Sequence, residues 1–394
     1  MASDRSLSSV RALVLVLDSV GIGHAADAEK YGDEGANTLG HIFARVPDLR
    51  LPNLFRLGLA KILDSSARQS LALPIASYGK MQQCSAGKDT TTGHWEIAGV
   101  IVDVAFAVFE KFPAELVSAI EQEAGVRFIG NYARSGTAIL EELGPEHVRT
   151  GKPILYTSAD SVLQIAAHEK IVPLEKLYEI CRIARHHADQ FRIGRVIARP
   201  FVGKQKFTRT GNRHDFSMKP PRTILNSINE QEIPVIAVGK ISDIFAGEGI
   251  TESHPTKSNR DSMNKIDNLW SKMQRGLIFA NLVDFDMLYG HRRDAVGYAR
   301  ALREFDEWLG GFIKKIAPAD LVVITADHGN DPTFRGTDHT REQVPLFVLH
   351  NRESRDLGTR STFADVAASL ADFFQLPQAW PTGCSFLATC TSRP

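Results

Sequence analysis

Three short segments of this 394-residue chain carry side chains able to bind metal ions. Asp-Phe-Asp-Met-Leu-Tyr-Gly-His spans 284–291, Ala-Asp-His-Gly-Asn spans 326–330, and Thr-Asp-His-Thr spans 337–340. The first two follow apolar runs that read as buried strands, Leu277–Val283 and Leu321–Thr325. Another such run, Ala12–Leu17, ends on Asp18. Asp18, Asp286, His291, Asp327, His328 and His339 thus bring three carboxylates and three imidazoles to strand ends and the loop beyond, enough for two ions sharing one site. Carboxylate and imidazole without thiolate suit Mn²⁺, Zn²⁺ or iron, and the share of carboxylate favours Mn²⁺. Paired ions about 3.5–4 Å apart clamp the attacking and leaving oxygens of a phosphoryl transfer. Any one of these residues alone could be a helix cap or a solvated side chain; six together are poorly explained that way.

Such a site needs a nucleophile, and Gly-Lys-Asp-Thr-Thr-Thr-Gly-His-Trp-Glu at 87–96 offers one. Lys88 is a cation, Thr90, Thr91 and Thr92 are hydroxyls, and Gly93 is expected to permit an unusual turn. A metal ion can make such a hydroxyl nucleophilic near neutral pH. The segment also reads as a threonine-rich cap before a helix at His94–Ala98. The two roles agree, since a capped helix whose N-terminus faces a phosphate serves both. Cys84, close by in sequence, is expected to pack rather than react. Gly-Ile-Gly-His-Ala-Ala at 21–26 fits a dinucleotide fingerprint weakly. Its context fails, because Asp18 would repel a pyrophosphate and no second strand ends in an acid about 20 residues on.

Positioning these groups requires a sheet. Strand-like runs at Ala12–Leu17, Val196–Ala198, Val235–Val238, Leu277–Val283, Leu321–Thr325 and Leu346–Leu349 alternate with helical patterns at Pro113–Glu123, Leu174–Arg185, Ala295–Ile316 and Phe363–Phe374. That alternation predicts an α/β fold, a central sheet flanked by helices. The last helix is expected to start on a Thr362 cap with Asp365 three residues on, and to stop before Pro377. The block 101–221 holds none of the metal-type motifs and has turn signals of its own at Gly144-Pro145, Gly151-Lys152-Pro153 and Lys219-Pro220-Pro221. The economical division is a catalytic core, 1–100 with 222–394, interrupted by an inserted α/β domain at 101–221. A single large sheet is the alternative.

The 46 basic residues balance 46 acidic ones, so no global field draws in nucleic acid or an anionic membrane. An anion must be gripped by a local cluster. Four cysteines without CxxC spacing, and a polar start followed by a short apolar run, lead us to expect a reduced cytoplasmic setting with no signal peptide or spanning helix.

Beyond the residue chemistry, long motifs resemble those of bacterial phosphopentomutases in the alkaline phosphatase superfamily. They are Asp-Ser-Val-Gly-Ile-Gly (18–23), the 87–96 segment, Tyr-Thr-Ser-Ala-Asp-Ser-Val-Leu-Gln-Ile-Ala-Ala-His-Glu (156–169), Gly-Arg-Val-Ile-Ala-Arg-Pro-Phe-Val-Gly (194–203), Gly-Lys-Ile-Ser-Asp-Ile (239–244) and the segments at 207–215, 281–294 and 324–332. The resemblance implies an alkaline-phosphatase-like core with an inserted cap that recognises substrate. It implies Thr90 as the phosphorylated nucleophile. It also implies two Mn²⁺ ions, one on Asp286, His291 and His339 and the other on Asp18, Asp327 and His328. Ser158, Asp160, Arg195, Arg209 and Lys240 match positions that contact the sugar phosphate. The implied reaction interconverts ribose 1-phosphate and ribose 5-phosphate, and the 2-deoxyribose pair, with a sugar 1,5-bisphosphate as activator and phosphoryl donor. Partners would be small pentose phosphates, and the oligomeric state stays open. A phosphohydrolase of the same superfamily would share this metal chemistry. A catalytically silent metal-binding scaffold would be expected to lack a ligand or the nucleophile, and here all seven positions are filled. Departures from the family are extra polar residues before Arg11 and the Val104–Pro113 segment.

Overall fold

Unbroken apolar runs leave no polar face for solvent, which suits strands of a parallel sheet covered on both sides. The computed structural model describes residues 10–63, 73–158, 160–204 and 206–387. It divides the chain into two compact units, Met1–Val104 with Pro220–Pro394, and Ala105–Lys219.

The first unit is built on an eight-stranded sheet. In spatial order the strands are Glu252–His254, Val235–Val238, Arg275–Leu282, Val10–Leu17, Leu321–Thr325, Val344–Leu349, Ser77–Met81 and Asp356–Arg360. The first five run parallel to one another. Val344–Leu349 is antiparallel to both its neighbours. Register is tight at the centre, with Val10 to Leu17 paired residue for residue against Arg275 to Leu282. Helices Asn259–Lys272 and Ala295–Phe312 turn Met263, Ile266, Trp270, Leu302, Phe305 and Leu309 inward. The central strands therefore end, at their carboxyl ends, on Asp18, on the Asp284–Asp286 segment and on Asp327. A doubly covered parallel sheet places ligand chemistry at that edge.

The second unit has a six-stranded sheet in which Ile129–Ala133, Ile154–Thr157, Val162–His168 and Arg195–Val202 are consecutive neighbours. Thr208–Arg209 and His214–Ser217 both pair with Arg195–Val202. Helices Ala114–Ala124 and Leu174–Asp189 pack Leu116, Ile120, Leu177, Ile180 and Cys181 against Leu155, Leu163, Ile165, Val196 and Ala198. Helix Gly136–Thr150 packs Ile139 and Leu140 against Ile154, Tyr156, Ala166 and Phe201.

Four local expectations change. Gly144-Pro145, expected as a turn, lies inside helix Gly136–Thr150. The helix at Thr90–Ile97 begins four residues before His94, and its cap is Asp89, whose carboxylate accepts the Thr92 N–H. Thr362 is not the cap of helix Asp365–Phe373, which is Ala364. Its hydroxyl instead accepts the Ala364 N–H and donates to Glu96. Cys84 is exposed rather than packed.

Candidate metal centre

All six candidate ligands lie in the first unit, around the carboxyl ends of three adjacent parallel strands. Asp18 follows Val10–Leu17, and Asp327 with His328 follows Leu321–Thr325. Asp286 and His291 sit at the two ends of a π-helical turn, Phe285–Gly290, in which the His291 N–H donates to the Asp286 carbonyl at 3.1 Å. Their spacing of five is thus the i→i+5 repeat of a π-turn rather than a loop, a distortion typical of functional sites.

Two overlapping ligand groups result. Donor atoms of Asp286, His291 and His339 lie within 4.8 Å of one another, as do those of Asp18, Asp286 and His328. Asp286 is common to both. Asp327 Oδ2 is 3.2 Å from His328 Nε2, beside the second group. Each carboxylate has one oxygen held by a neighbour. Asn281 Nδ2 donates to Asp18 Oδ2 at 2.9 Å, Asn330 Nδ2 to Asp286 Oδ1 at 2.7 Å, and the Ser19 N–H to Asp327 Oδ1 at 3.1 Å. Two imidazoles are oriented likewise, His291 Nδ1 against the Thr337 carbonyl at 2.7 Å and His328 Nδ1 against the Gly329 carbonyl at 3.0 Å. Among the described residues, Asp18 Oδ1, Asp327 Oδ2 and His339 Nε2 are then left buried without a hydrogen-bond partner. Orphaned acceptors of this kind in a folded chain call for an explanation, and cations facing them supply one. The residues fit a pair of divalent ions.

The electrostatics agree. Burial, then the charges of Asp327 and Asp286, push the Asp18 carboxyl up to about 7. Burial also opposes ionisation of Asp286, but His339, His291 and His328 outweigh it and hold this carboxyl well below the usual range. Burial lowers the His291 imidazole, yet the hydrogen bond and charge of Asp286 carry it up to about 9. Without ions the site keeps protons on imidazoles and on Asp18, protons that metal binding must displace.

The nucleophile segment is held beside this cluster. Thr90 Oγ1, at the start of helix Thr90–Ile97, is 3.1 Å from His328 Nε2. Thr92 is buried and donates to Asp89 Oδ2 at 2.5 Å, a capping task that removes it as a candidate. Gly93 makes no turn. It lies inside the helix, where a Cβ would run into the backbone of Asp327. Glu96 accepts the N–H groups of Cys84, Ser85 and Phe363, tying the helix to the loop before it. The buried guanidinium of Arg341 donates to Asp27 and to the carbonyls of Gln83, Ser85 and Gly87. It stacks 4.8 Å above Tyr31 as well. Lys88 is engaged by Asp33 at 2.9 Å and Asp338 at 3.5 Å.

The positions matched to sugar-phosphate contacts fall in both units. Lys240 is exposed in the first, its Nζ 3.9 Å from Met287 Sδ. Ser158, Asp160, Arg195 and Arg209 belong to the second. There Ser158 and the exposed Asp160 lie on the link between Ile154–Thr157 and Val162–His168. Arg195 opens strand Arg195–Val202 and lies 3.6 Å from Asp215, while Arg209 is exposed on the two-residue strand opposite Phe201. Asn281, Asn330, Arg341 and His94 had no role assigned from sequence. The one local signal was the four-residue spacing of Thr90 and His94, which puts both on one helix face.

A parallel sheet with two ligand groups at its carboxyl edge defines a metal-dependent enzyme class, and the family model of the Metalloenzyme superfamily matches residues 10–378. The chain belongs to that superfamily. The solved structure of a Pyrococcus horikoshii protein shares the fold, with a TM-score of 0.50 at 13% identity, over 96% of this chain and 100% of that one. Within the superfamily, the phosphopentomutase of Syntrophotalea carbinolica is 51% identical over 383 residues, which cover 96% of this chain and 97% of the relative. The chain belongs to the phosphopentomutase family.

Proposed function

We propose that the chain is a phosphopentomutase, an isomerase interconverting α-ribose 1-phosphate and ribose 5-phosphate, and the 2-deoxyribose pair. The observation that carries this reading is Thr90 Oγ1 at a helix N-terminus, 3.1 Å from His328 Nε2, in a chain 51% identical to a phosphopentomutase. Asp286, His291 and His339 would hold one ion and Asp18, Asp327 and His328 the other; Asp286 belongs to both groups of neighbouring donor atoms. Bound there, two Mn²⁺ ions supply Lewis-acid stabilisation of charge on the transferring phosphoryl group.

In the proposed cycle Thr90 starts phosphorylated. The free 5-hydroxyl of ribose 1-phosphate attacks that phosphorus, loses its proton, and the bond from phosphorus to Oγ1 breaks. The product is ribose 1,5-bisphosphate, and Thr90 Oγ1 takes up the proton that the sugar hydroxyl lost. After the bisphosphate turns over, the Thr90 hydroxyl attacks the phosphorus of the 1-phosphate. The bond from phosphorus to the C1 oxygen breaks, that oxygen takes the Thr90 proton, and ribose 5-phosphate leaves behind phospho-Thr90. The N–H groups at the start of helix Thr90–Ile97 stabilise negative charge on the phosphate throughout. The proposed sugar-phosphate contacts are Ser158, Asp160, Arg195 and Arg209 of the unit Ala105–Lys219, and Lys240 of the first unit. Excluding water from phospho-Thr90 lets the sugar, rather than water, take the phosphoryl group. Mass spectrometry of the purified protein tests the covalent step directly. A phosphate on Thr90 within the 87–96 peptide is expected, and its placement on Thr91 or Thr92 would refute the assignment.

A further inference from the structure

His94 is a buried imidazole that the chemistry above does not use. It lies one helical turn beyond Thr90, and its Nδ1 sits 2.8 Å from the Thr90 carbonyl oxygen and 3.1 Å from Asp327 Oδ2. On the other side of the ring, Nε2 is 3.1 Å from Asn281 Nδ2. That same amide nitrogen donates to Asp18 Oδ2 at 2.9 Å. Once Asp18 is ionised, as a metal ligand must be, it sets the amide's orientation, since turning the amide oxygen toward a carboxylate oxygen would be repulsive. Asn281 therefore spends one N–H on Asp18 and offers the other to the ring. Nδ1 bonds the Thr90 carbonyl with Asp327 Oδ2 close beside it, and Nε2 faces the Asn281 amide donor. The ring plane is held by stacking on Phe279, with centroids 6.0 Å apart and planes 25° from parallel. Gly93, by lacking a Cβ, lets this turn of helix close onto Asp327.

The chain of contacts runs from the Thr90 backbone through His94 to Asp327, and through Asn281 to Asp18. We propose that His94, with Asn281, is a positioning residue that locks the nucleophile's helical turn to the Asp18, Asp327 and His328 ligand set and not to the other. It rests on the two-ion reading above. Asp286 and His291 take their support elsewhere, from Asn330 and the Thr337 carbonyl. Partners of this outer kind change metal affinity about 10–100-fold when removed. The coupling is one-sided by construction: only one of the two ions should feel the loss.

The test is a Mn²⁺ titration of metal-free protein by calorimetry, with elemental analysis, on the unaltered chain, His94→Phe, Asn281→Leu, the double variant and His94→Gln. The unaltered chain should bind two ions. His94→Phe and Asn281→Leu should each weaken one ion about 10–100-fold and leave the other within about threefold. Because the two residues act in series, the double variant should be no more than about threefold worse than the worse single one. His94→Gln, which keeps a donor and an acceptor, should recover part of the loss. Equal weakening of both ions, no weakening, independent additive losses, or variants whose metal-free melting collapses even for His94→Gln would each overturn the proposal and leave His94 a packing residue. Fewer than two ions on the unaltered chain would instead overturn the two-ion reading, before any variant is considered.

Discussion

Gly93→Ala isolates what the close approach of helix Thr90–Ile97 to the metal-ligand loop contributes. A Cβ at this position would lie 2.8 Å from the Asp327 carbonyl carbon and 2.9 Å from its Cβ, with the carbonyl oxygen closer still. Ordinary contact begins at 3.4 Å, so the carbon alone must give by 3.4 − 2.8 = 0.6 Å. The obstacle is backbone at a strand end, which cannot swing aside as a side chain would. Overpacking of this kind costs about 1–3 kcal/mol, against which alanine returns about 1 kcal/mol in helix propensity. Global stability should therefore fall only modestly, by about 0–2 kcal/mol. Activity should fall much further, because the displacement separates Thr90 from the ligand set. Misplacement by about 1 Å is enough to cost about 100-fold in rate. We expect kcat to drop about 10–100-fold in a coupled mutase assay, with urea denaturation showing a stable fold. Gly311→Ala is the control, a helical glycine whose added Cβ meets nothing within 4 Å. It should keep full activity and gain about 0.5–1 kcal/mol. A Gly93→Ala enzyme with kcat within threefold of the parent would refute the claim that this contact places the nucleophile.

Arg341→Met should destabilise the first unit by about 3–5 kcal/mol, since it strands Asp27 and three carbonyls that share one buried guanidinium. Arg222→Met, which breaks an exposed pair with Glu230, should cost under about 1 kcal/mol in the same urea titration, and parity between the two would refute the role given to Arg341. Chelation should abolish activity and Mn²⁺ should restore it better than Mg²⁺, because three imidazoles favour a borderline metal. His339→Ala should lose about one ion per chain by elemental analysis, and retention of two would remove His339 from the ligand set. Metal uptake should release protons, and apparent affinity should rise from pH 6 toward pH 9. His291 sits at about 9 without metal and must give up its proton to ligate, so an affinity flat across that window would contradict the assignment. Arg209→Lys should weaken the mutase reaction while leaving slow hydrolysis of a small aryl phosphate unchanged, since lysine cannot reproduce a bidentate grip on the distal phosphate. Equal losses on both substrates would place Arg209 in folding or at the metal centre.

The central strands of the core sheet were readable because they are buried on both faces. Val235–Val238 and Leu321–Thr325 have the same bounds in sequence and structure, and Asp18, Asp286 and Asp327 lie within a few residues of strand ends. Strands with one wet face were not readable. Ser77–Met81 alternates buried and half-buried residues around a glycine, and Ile129–Ala133 and His214–Ser217 are polar and partly exposed. Helix Gly136–Thr150 was hidden by Gly144-Pro145. Its proline gives up one backbone bond, while Ile139 and Leu140 before it, and His147 bonded to the Lys152 carbonyl after it, keep the helix in place. The ligand residues were legible by type and spacing, but their supports were not. Asn281 reaches Asp18 across 263 positions and Arg341 reaches Ser85 across 256, contacts with no local signature.

The central claim is that phospho-Thr90 passes its phosphoryl group to a sugar hydroxyl rather than to water. Incubating the Mn²⁺-loaded protein with ribose 1-phosphate and a trace of sugar 1,5-bisphosphate, and counting both products, tests it directly. The account predicts conversion to ribose 5-phosphate with little free phosphate, and no conversion by Thr90→Ala. Free phosphate released in step with ribose 1-phosphate consumption would contradict it and make the protein a phosphohydrolase.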